Sequence, residues 1–196
     1  MCEIKLNATQ LAAIYNGGNK EAREAIKEAL GDQFSTFYPV TERIKTFEDA
    51  YNELGEEHQL CKEYRSVKYG YVSAEADLLA YLKLRIITAA LNEGWEPQFT
   101  VGERRWYFWY DFISKEELEE MSDEEKEERR VVGRASYYAF AVGGLVFSSA
   151  NNVSAYSGTY VGSRLAFKSE ELAEYAGKQF IEIYADYCFI PASVEN

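Results

Sequence analysis

Residues 102–112 read GERRWYFWYDF, so two arginines precede six aromatic rings that are interrupted by one aspartate. Successive side chains of a β-strand point to opposite faces of a sheet. If this stretch is a strand, one face carries Trp106, Phe108, Tyr110 and Phe112, and the other carries Arg105, Tyr107, Trp109 and Asp111. We expect the first, apolar face to pack against helices, and the second, which mixes rings with charges, to lie toward solvent.

Helix signals dominate the chain before this strand. Asn7, Asn19 and Thr46 each precede an amphipathic run and predict the starts of three short helices. Residues 56–72 lack a clear period and are predicted to be a connection. Ser73 is predicted to cap the longest helix, which carries leucines and isoleucine on one face.

Strand signals follow it. A second strand is predicted at 136–148, where two adjacent glycines indicate a bulge or a tight turn. A polar loop at 148–158 then leads to a further strand at 159–168. Ser169 precedes a closing helix with acidic residues in its first turn, which suits the positive end of the helix dipole.

Strands connected this closely are most simply antiparallel. The sequence therefore predicts an α+β fold: N-terminal helices, a small, mostly antiparallel sheet of three to four strands, and a closing C-terminal helix. We expect a single domain over 1–196, with a helical N-terminal region at 1–72 and a helix–sheet–helix core at 73–196. An exposed acidic helical excursion is predicted at 114–130.

The net charge of the chain limits the kinds of partner that it can bind. The 196 residues carry a formal net charge of −12, and residues 115–130 alone hold nine acids and four bases. A field of this sign repels duplex DNA and anionic membranes at long range. The acidic run is interpreted as a solvated face, with a surface that mimics DNA or binds a basic partner as the alternative. The chain shows no secretory signal and no apolar run of membrane length, which predicts a cytoplasmic protein with free thiols and no membrane contact.

The candidate binding residues come from the first and last predicted strands. The outward face of 159–168 would hold Tyr160, Gly162, Arg164 and Lys168. If the two strands share a sheet, one surface combines rings with cations, and the predicted ligand-binding residues are Arg105, Tyr107, Trp109, Tyr160, Arg164 and Lys168. Rings stack on bases and arginine grips phosphate, so the set favours a nucleotide-like ligand. The alternative is that helices or a partner subunit cover this face.

The sequence lacks the residues that several kinds of metal and catalytic sites require. His58 is the single histidine, and its spacing to Cys61 leaves a zinc site without a second pair of ligands, so no metal site is predicted. The same scarcity disfavours Ser-His-Asp and Cys-His catalysis. No phosphate-binding glycine motif occurs, and no cofactor is predicted. The protein is expected not to be an enzyme, although an enzyme that uses only carboxylates and arginines stays open as an alternative.

Three stretches resemble a family of small proteins from bacteriophages and prophages of gut Bacteroidetes: RIKTFEDA (43–50), ALNEGW (90–95) and GSRLAFKSEELAEYAGKQFIEIY (162–184). The resemblance covers about residues 40–187 and implies a phage or mobile-element origin. It brings no catalytic residues. This chain departs from the family at Ala166, where relatives carry cysteine, and at 115–130, where relatives have a shorter link.

These observations predict a non-enzymatic binding protein of phage or prophage type. Its ligand would be single-stranded nucleic acid or a small nucleotide signal, with Tyr107, Trp109 and Tyr160 stacking. The alternative is a protein-interaction module, virion-associated or inhibiting a host protein, that uses the aromatic face as its interface. Homo-oligomerisation is a secondary expectation, because exposed aromatic strands tend to be covered.

Overall fold

The structure is a computed structural model, and it describes residues 5–31, 33–70, 75–133, 143–153 and 162–189. The helices before the sheet are α1 (Ala8–Gly17), α2 (Lys20–Leu30), α3 (Gln33–Phe37), α4 (Val40–Arg43), α5 (Phe47–Leu54), α6 (Gln59–Lys68) and α7 (Ala76–Leu91). The remaining elements are β1 (Arg105–Ile113), α8 (Lys115–Glu120), α9 (Asp123–Arg129), β2 (Val131–Val132), β3 (Gly144–Val153), a 3-10 turn (Ser163–Leu165), α10 (Glu170–Gln179) and α11 (Ile181–Cys188).

The α+β prediction is confirmed. In the described part of the chain, three strands form one antiparallel sheet in the order β1-β3-β2. Helices flank this sheet, and the chain closes on helices α10 and α11. None of the described helices is long and apolar enough to cross a bilayer.

Local capping explains why the N-terminal helices start where the sequence predicts. The side chains of Asn7 and Thr46 each form a reciprocal capping box with the residue three positions later, and the Asn19 side chain accepts the backbone N–H of Ala22. Ser169 caps α10 in the same way, by accepting the N–H of Leu172. The predicted cap at Ser73 lies outside the described residues.

The predicted connection at 56–72 is wrong over most of its described length, because α6 occupies Gln59–Lys68. His58 starts this helix, and its ring Nδ1 accepts the Leu60 N–H at 3.2 Å. Cys61 and Tyr64 form its buried side. A histidine cap and a helix face made of a thiol and a phenol give a weak apolar pattern in the sequence.

The predicted polar loop at 148–158 is wrong for its first six residues. Strand β3 continues to Val153, and β1 pairs with it from Arg105↔Val153 to Ile113↔Gly144 with a bulge between Trp109 and Tyr110. The serines of β3 lie on its exposed side, so backbone pairing rather than apolar burial keeps this part of the chain extended.

The predicted strand at 159–168 is also wrong in its described part. Residues 163–165 form the 3-10 turn, and the only pairing there among the described residues is the single bridge between Phe167 and Trp106. Gly162 precedes the turn at φ +85°, a left-handed conformation that interrupts an extended strand.

The main core is formed by the sheet together with helices α5, α6, α7, α10 and α11. Helix α10 packs against β1 and β3, and α11, α5 and α6 pack against α7. Gly177 makes the close approach of α10 possible, since a Cβ there would lie 2.8 Å from the Phe147 ring and 2.9 Å from the Phe108 ring. Tyr110 also crosses to this helix and donates a hydrogen bond of 2.6 Å to the Gly177 carbonyl.

Candidate functional site

The open aromatic face predicted on β1 is not formed. Arg105 and Tyr107 are 0% and 1% exposed. The Arg105 guanidinium lies 4.5 Å from the centre of the Phe99 ring and 3.5 Å from the Glu103 carboxylate. Burial with a ring and a carboxylate gives Arg105 a structural role, and the expectation that it lies near water is wrong.

The other predicted rings do not complete a stacking surface. Trp109 is half-buried and lines an apolar cleft of about 190 Å³ next to α11. Among the other residues that line this cleft are Phe112, Leu165, Tyr184, Tyr187 and Cys188. Tyr160 lies outside the described residues.

The two remaining predicted cations separate from these rings. The Lys168 ammonium lies 3.0 Å from the Glu93 carboxylate, so a local carboxylate already neutralises it. Arg164 lies exposed on the 3-10 turn and lines a second, polar cavity, not the cleft of Trp109. The structure thus brings Tyr107 and Trp109 to one cavity and Arg164 to another.

The polar cavity has a volume of about 530 Å³. It lies where the C-terminal end of α7, the N-terminal end of α6 and the segment 162–168 meet. Its polar and aromatic lining consists of His58, Gln59, Arg85, Thr88, Asn92, Trp95, Glu96, Ser163 and Arg164. A volume in this range is typical of a pocket for one small molecule.

Asn92 holds the wall that carries Arg164. Its buried amide donates 2.8 Å to the Ala166 carbonyl, and its amide oxygen accepts the Lys168 N–H at 3.0 Å. The chain then turns through Glu93 and Gly94, both at positive φ, and brings Trp95 to the cavity. The Asn92 side chain therefore ties residues 166–168 to the end of α7, and the turn that follows Asn92 leads to Trp95.

Donors predominate around the polar cavity. The Arg85 guanidinium lies 2.8 Å from the Glu63 carboxylate, whereas no ion pair joins Arg164 to another residue in the described part of the chain. The Nδ1 atom of His58 accepts the Leu60 N–H, which leaves the proton of the neutral ring on Nε2. Glu96 is the one acidic residue in the described lining. Since Glu63 already pairs with Arg85, Arg164 is the guanidinium of the lining that is open to an anionic group.

The hydroxyls of Thr88 and Tyr184 are both buried and lie beside each other, and the two side chains form a hydrogen-bonding pair. Burial first, and then the nearby Cys188, raise the pKa of Tyr184 far above its usual value, with Thr88 close enough to oppose the rise.

No protein-family model, no curated protein and no solved structure matches this chain. The resemblance to phage proteins therefore stays a prediction.

The two described cysteines are poorly suited to nucleophilic chemistry. Burial raises the pKa of Cys61 to about 11 and that of Cys188 to about 11. A thiol is nucleophilic as the thiolate, so both side chains are protonated and weakly reactive at neutral pH.

This difference is measurable by thiol labelling. In a Cys2→Ser variant at pH 8, Cys61 and Cys188 are expected to react with a disulfide reagent about 100-fold more slowly than in the unfolded chain, since two pKa units lower the thiolate fraction by that factor. Labelling in buffer and in denaturant gives the ratio. Fast stoichiometric labelling of the native protein would contradict these pKa values.

Sequence reasoning found Arg164 but missed His58, Arg85, Thr88 and Trp95 as members of one site. These residues come from separate elements, and no local spacing links them. The one local signal was the Gly94-Trp95 pair that follows a long helix, a position where a ring can be held by a turn.

Proposed function

We propose that this chain is a non-enzymatic binding protein of phage type, and that its ligand is a small nucleotide, a flat ring with an anionic group. The polar cavity is the proposed site. One observation carries the proposal: a single cavity of about 530 Å³ combines the Trp95 ring with the exposed Arg164, which forms no ion pair with another described residue.

Each part of such a ligand has a counterpart in the cavity. An aromatic side chain that stacks on a base contributes about 1–3 kcal/mol, and Trp95 supplies the ring. Arg164 supplies a planar fork for a phosphate. The side chains of His58 and Ser163, which also line the cavity, supply neutral hydrogen bonds that orient the ligand.

Charge and size favour a small nucleotide over a long strand. The formal net charge of −12 repels a polyanion at long range, whereas a mononucleotide or a cyclic dinucleotide brings few phosphates. The separation of Trp109 from Arg164 removes the extended ring-and-cation surface that a strand would need.

A protein-interaction module is the second candidate, and it uses a different surface. We infer it from the apolar cleft beside β1, where Phe112 is 50% exposed and Tyr187 is 41% exposed. Large rings of this kind anchor protein interfaces. The partner would be a host or virion protein, or a second copy of this chain.

The test of the first candidate is equilibrium binding of mononucleotides and cyclic dinucleotides, with oligo-dT as a comparison. We expect one small nucleotide to bind saturably and to raise the melting temperature. Arg164→Gln should weaken this binding by roughly 10- to 100-fold, because a hydrogen bond to a charged group contributes about 1.5–3 kcal/mol.

Arg104→Gln is the matched control, since Arg104 is exposed, carries the same charge and does not line the cavity. Equal weakening in both variants would contradict a specific site. Binding of oligo-dT alone, with a steep salt dependence, would contradict a small ligand, and binding of no nucleotide would overturn the proposal.

A further inference from the structure

The N-terminal helices have their own small core. Tyr15, Phe34 and Tyr38 form a buried aromatic cluster that is separate from the main core, with Ala12, Ile26 and Leu30 packed against it. We call residues 8–31 and 33–38, which comprise α1, α2, α3 and the following Tyr38, the N-terminal arm. The rest of the described chain is the body.

The arm meets the body at one carboxylate. Glu53, at the end of α5, is 10% exposed in its side chain. On the arm side it accepts hydrogen bonds from the Tyr15 hydroxyl at 2.8 Å and from the Lys27 ammonium at 2.7 Å. On the body side it pairs with Arg43, whose side chain is 1% exposed.

Arg43 extends this network into the body. Its other guanidinium nitrogen pairs with Glu93, and Glu93 also holds Lys168. Its Nε donates 3.1 Å to the Tyr38 carbonyl, and the guanidinium lies 4.9 Å from the centre of the Phe34 ring. The contacts that join arm to body are therefore largely polar and converge on Glu53 and Arg43.

Electrostatics keep Glu53 charged. Burial alone would raise its pKa, but the charges of Arg43 and Lys27 and the hydrogen bonds from Lys27 and Tyr15 outweigh burial and lower the pKa. The pKa of Lys27 is raised, because its hydrogen bond and charge interaction with Glu53 outweigh burial. Both groups are thus ionised at neutral pH.

A cavity of about 360 Å³ lies between arm and body at this point. The arm contributes Lys27, Phe34 and Ser35, and the body contributes Glu53 and Glu93 among others. Leu54, Ala89 and Gly94 line both this cavity and the polar cavity. Movement of the arm would therefore open the cavity of about 360 Å³, while the residues that it shares with the polar cavity stay in the body.

We infer that the N-terminal arm is a hinged element latched to the body by the Glu53 carboxylate. The arm opens as a unit because the aromatic cluster holds its helices together. The body stays folded because its core is formed by other residues. Local opening of this kind is a recognised cooperative motion in proteins. The inference does not depend on which ligand the polar cavity takes.

The test is amide hydrogen exchange, measured separately for the arm (8–30) and the body (76–91 and 170–188). Glu53→Gln keeps the shape of the side chain and removes its charge. We expect exchange in the arm to accelerate roughly tenfold or more while the body is unchanged, because two charge-assisted bonds to the arm are weakened. Glu56→Gln is the control, since Glu56 is largely exposed and pairs with Arg65 within the body.

Lys27→Met gives a second test that leaves the Arg43 pairs in place. It should also accelerate exchange in the arm alone. Acceleration confined to the arm in both variants supports the latch. No acceleration in the arm, or equal acceleration in arm and body for both variants, overturns it.

Discussion

Gly144→Ala is expected to destabilise the protein by about 3 kcal/mol or more, the largest effect of any single methyl group that we predict. Gly144 starts β3 and has φ +128°, which L-residues rarely adopt. A Cβ there would lie 2.0 Å from the Val132 carbonyl oxygen and 2.8 Å from its carbonyl carbon. The backbone cannot move away from this contact, because β3 is paired on both sides. Gly144 pairs with Ile113 in β1, and the neighbouring Leu145 pairs with Val132 in β2.

Denaturant unfolding of the alanine variant measures this cost. Gly102→Ala is the matched control, because Gly102 also has positive φ, +85°, but nothing lies within 4 Å of its Cβ position. The control should cost about 1–2 kcal/mol, the backbone penalty alone. Similar costs for the two variants would show that the close approach of β2 to β3 is wrong.

Asn92→Ala is expected to lower the free energy of unfolding by about 2–4 kcal/mol, because it removes the side chain that bonds two backbone groups of the segment 162–168. The Ala166 carbonyl would lose its bond to the amide in a buried position, and the Lys168 N–H would lose its bond in a partly buried one. An unsatisfied buried polar group costs about 1–3 kcal/mol, and two such groups are left. The wall that carries Arg164 would loosen, so nucleotide binding should weaken together with stability.

Urea unfolding and nucleotide titration of the same variant check both effects. Asn52→Ala provides the comparison, since Asn52 lies exposed on α5 and should change stability by less than about 0.5 kcal/mol. Normal stability of Asn92→Ala would contradict the bridging role of this amide. Normal nucleotide affinity would show that the segment 162–168 is not part of the binding site.

Local chemistry explains which parts of the fold were predictable. The caps at Asn7, Asn19, Thr46 and Ser169 act within three residues, so the helix starts follow directly from the sequence. The strand at β1 was equally clear, since six rings in one short stretch favour extended chain. Antiparallel pairing followed from short connections.

Long-range contacts explain what the sequence did not reveal. The alternation of β1 predicted which residues share a face, but not that the Phe99 ring would cover Arg105. The segment 162–168 has the apolar alternation of a strand, yet Asn92 from α7 takes up its backbone groups. A cation–π contact covers Arg105, and hydrogen bonds from Asn92 override the local preference for a strand at 166–168.

The residue types of the candidate site were predictable from the sequence, but the residues that come together in it were not. Rings and guanidinium groups were identified as its components, and Arg164 remains among them. The ring that accompanies Arg164 is Trp95 rather than Trp109, because the turn after Asn92 brings Trp95 to the same cavity.

Nuclear magnetic resonance of the three tryptophan indoles tests the nucleotide site most directly. The indole N–H signals would be assigned with Trp95→Phe and followed while a mononucleotide or cyclic dinucleotide is added. We predict that the Trp95 signal moves saturably, that the Trp109 signal stays in place, and that Arg164→Gln raises the ligand concentration needed for the shift by roughly 10- to 100-fold. Movement of the Trp109 signal alone, or of none of the three, would contradict a nucleotide site in the polar cavity.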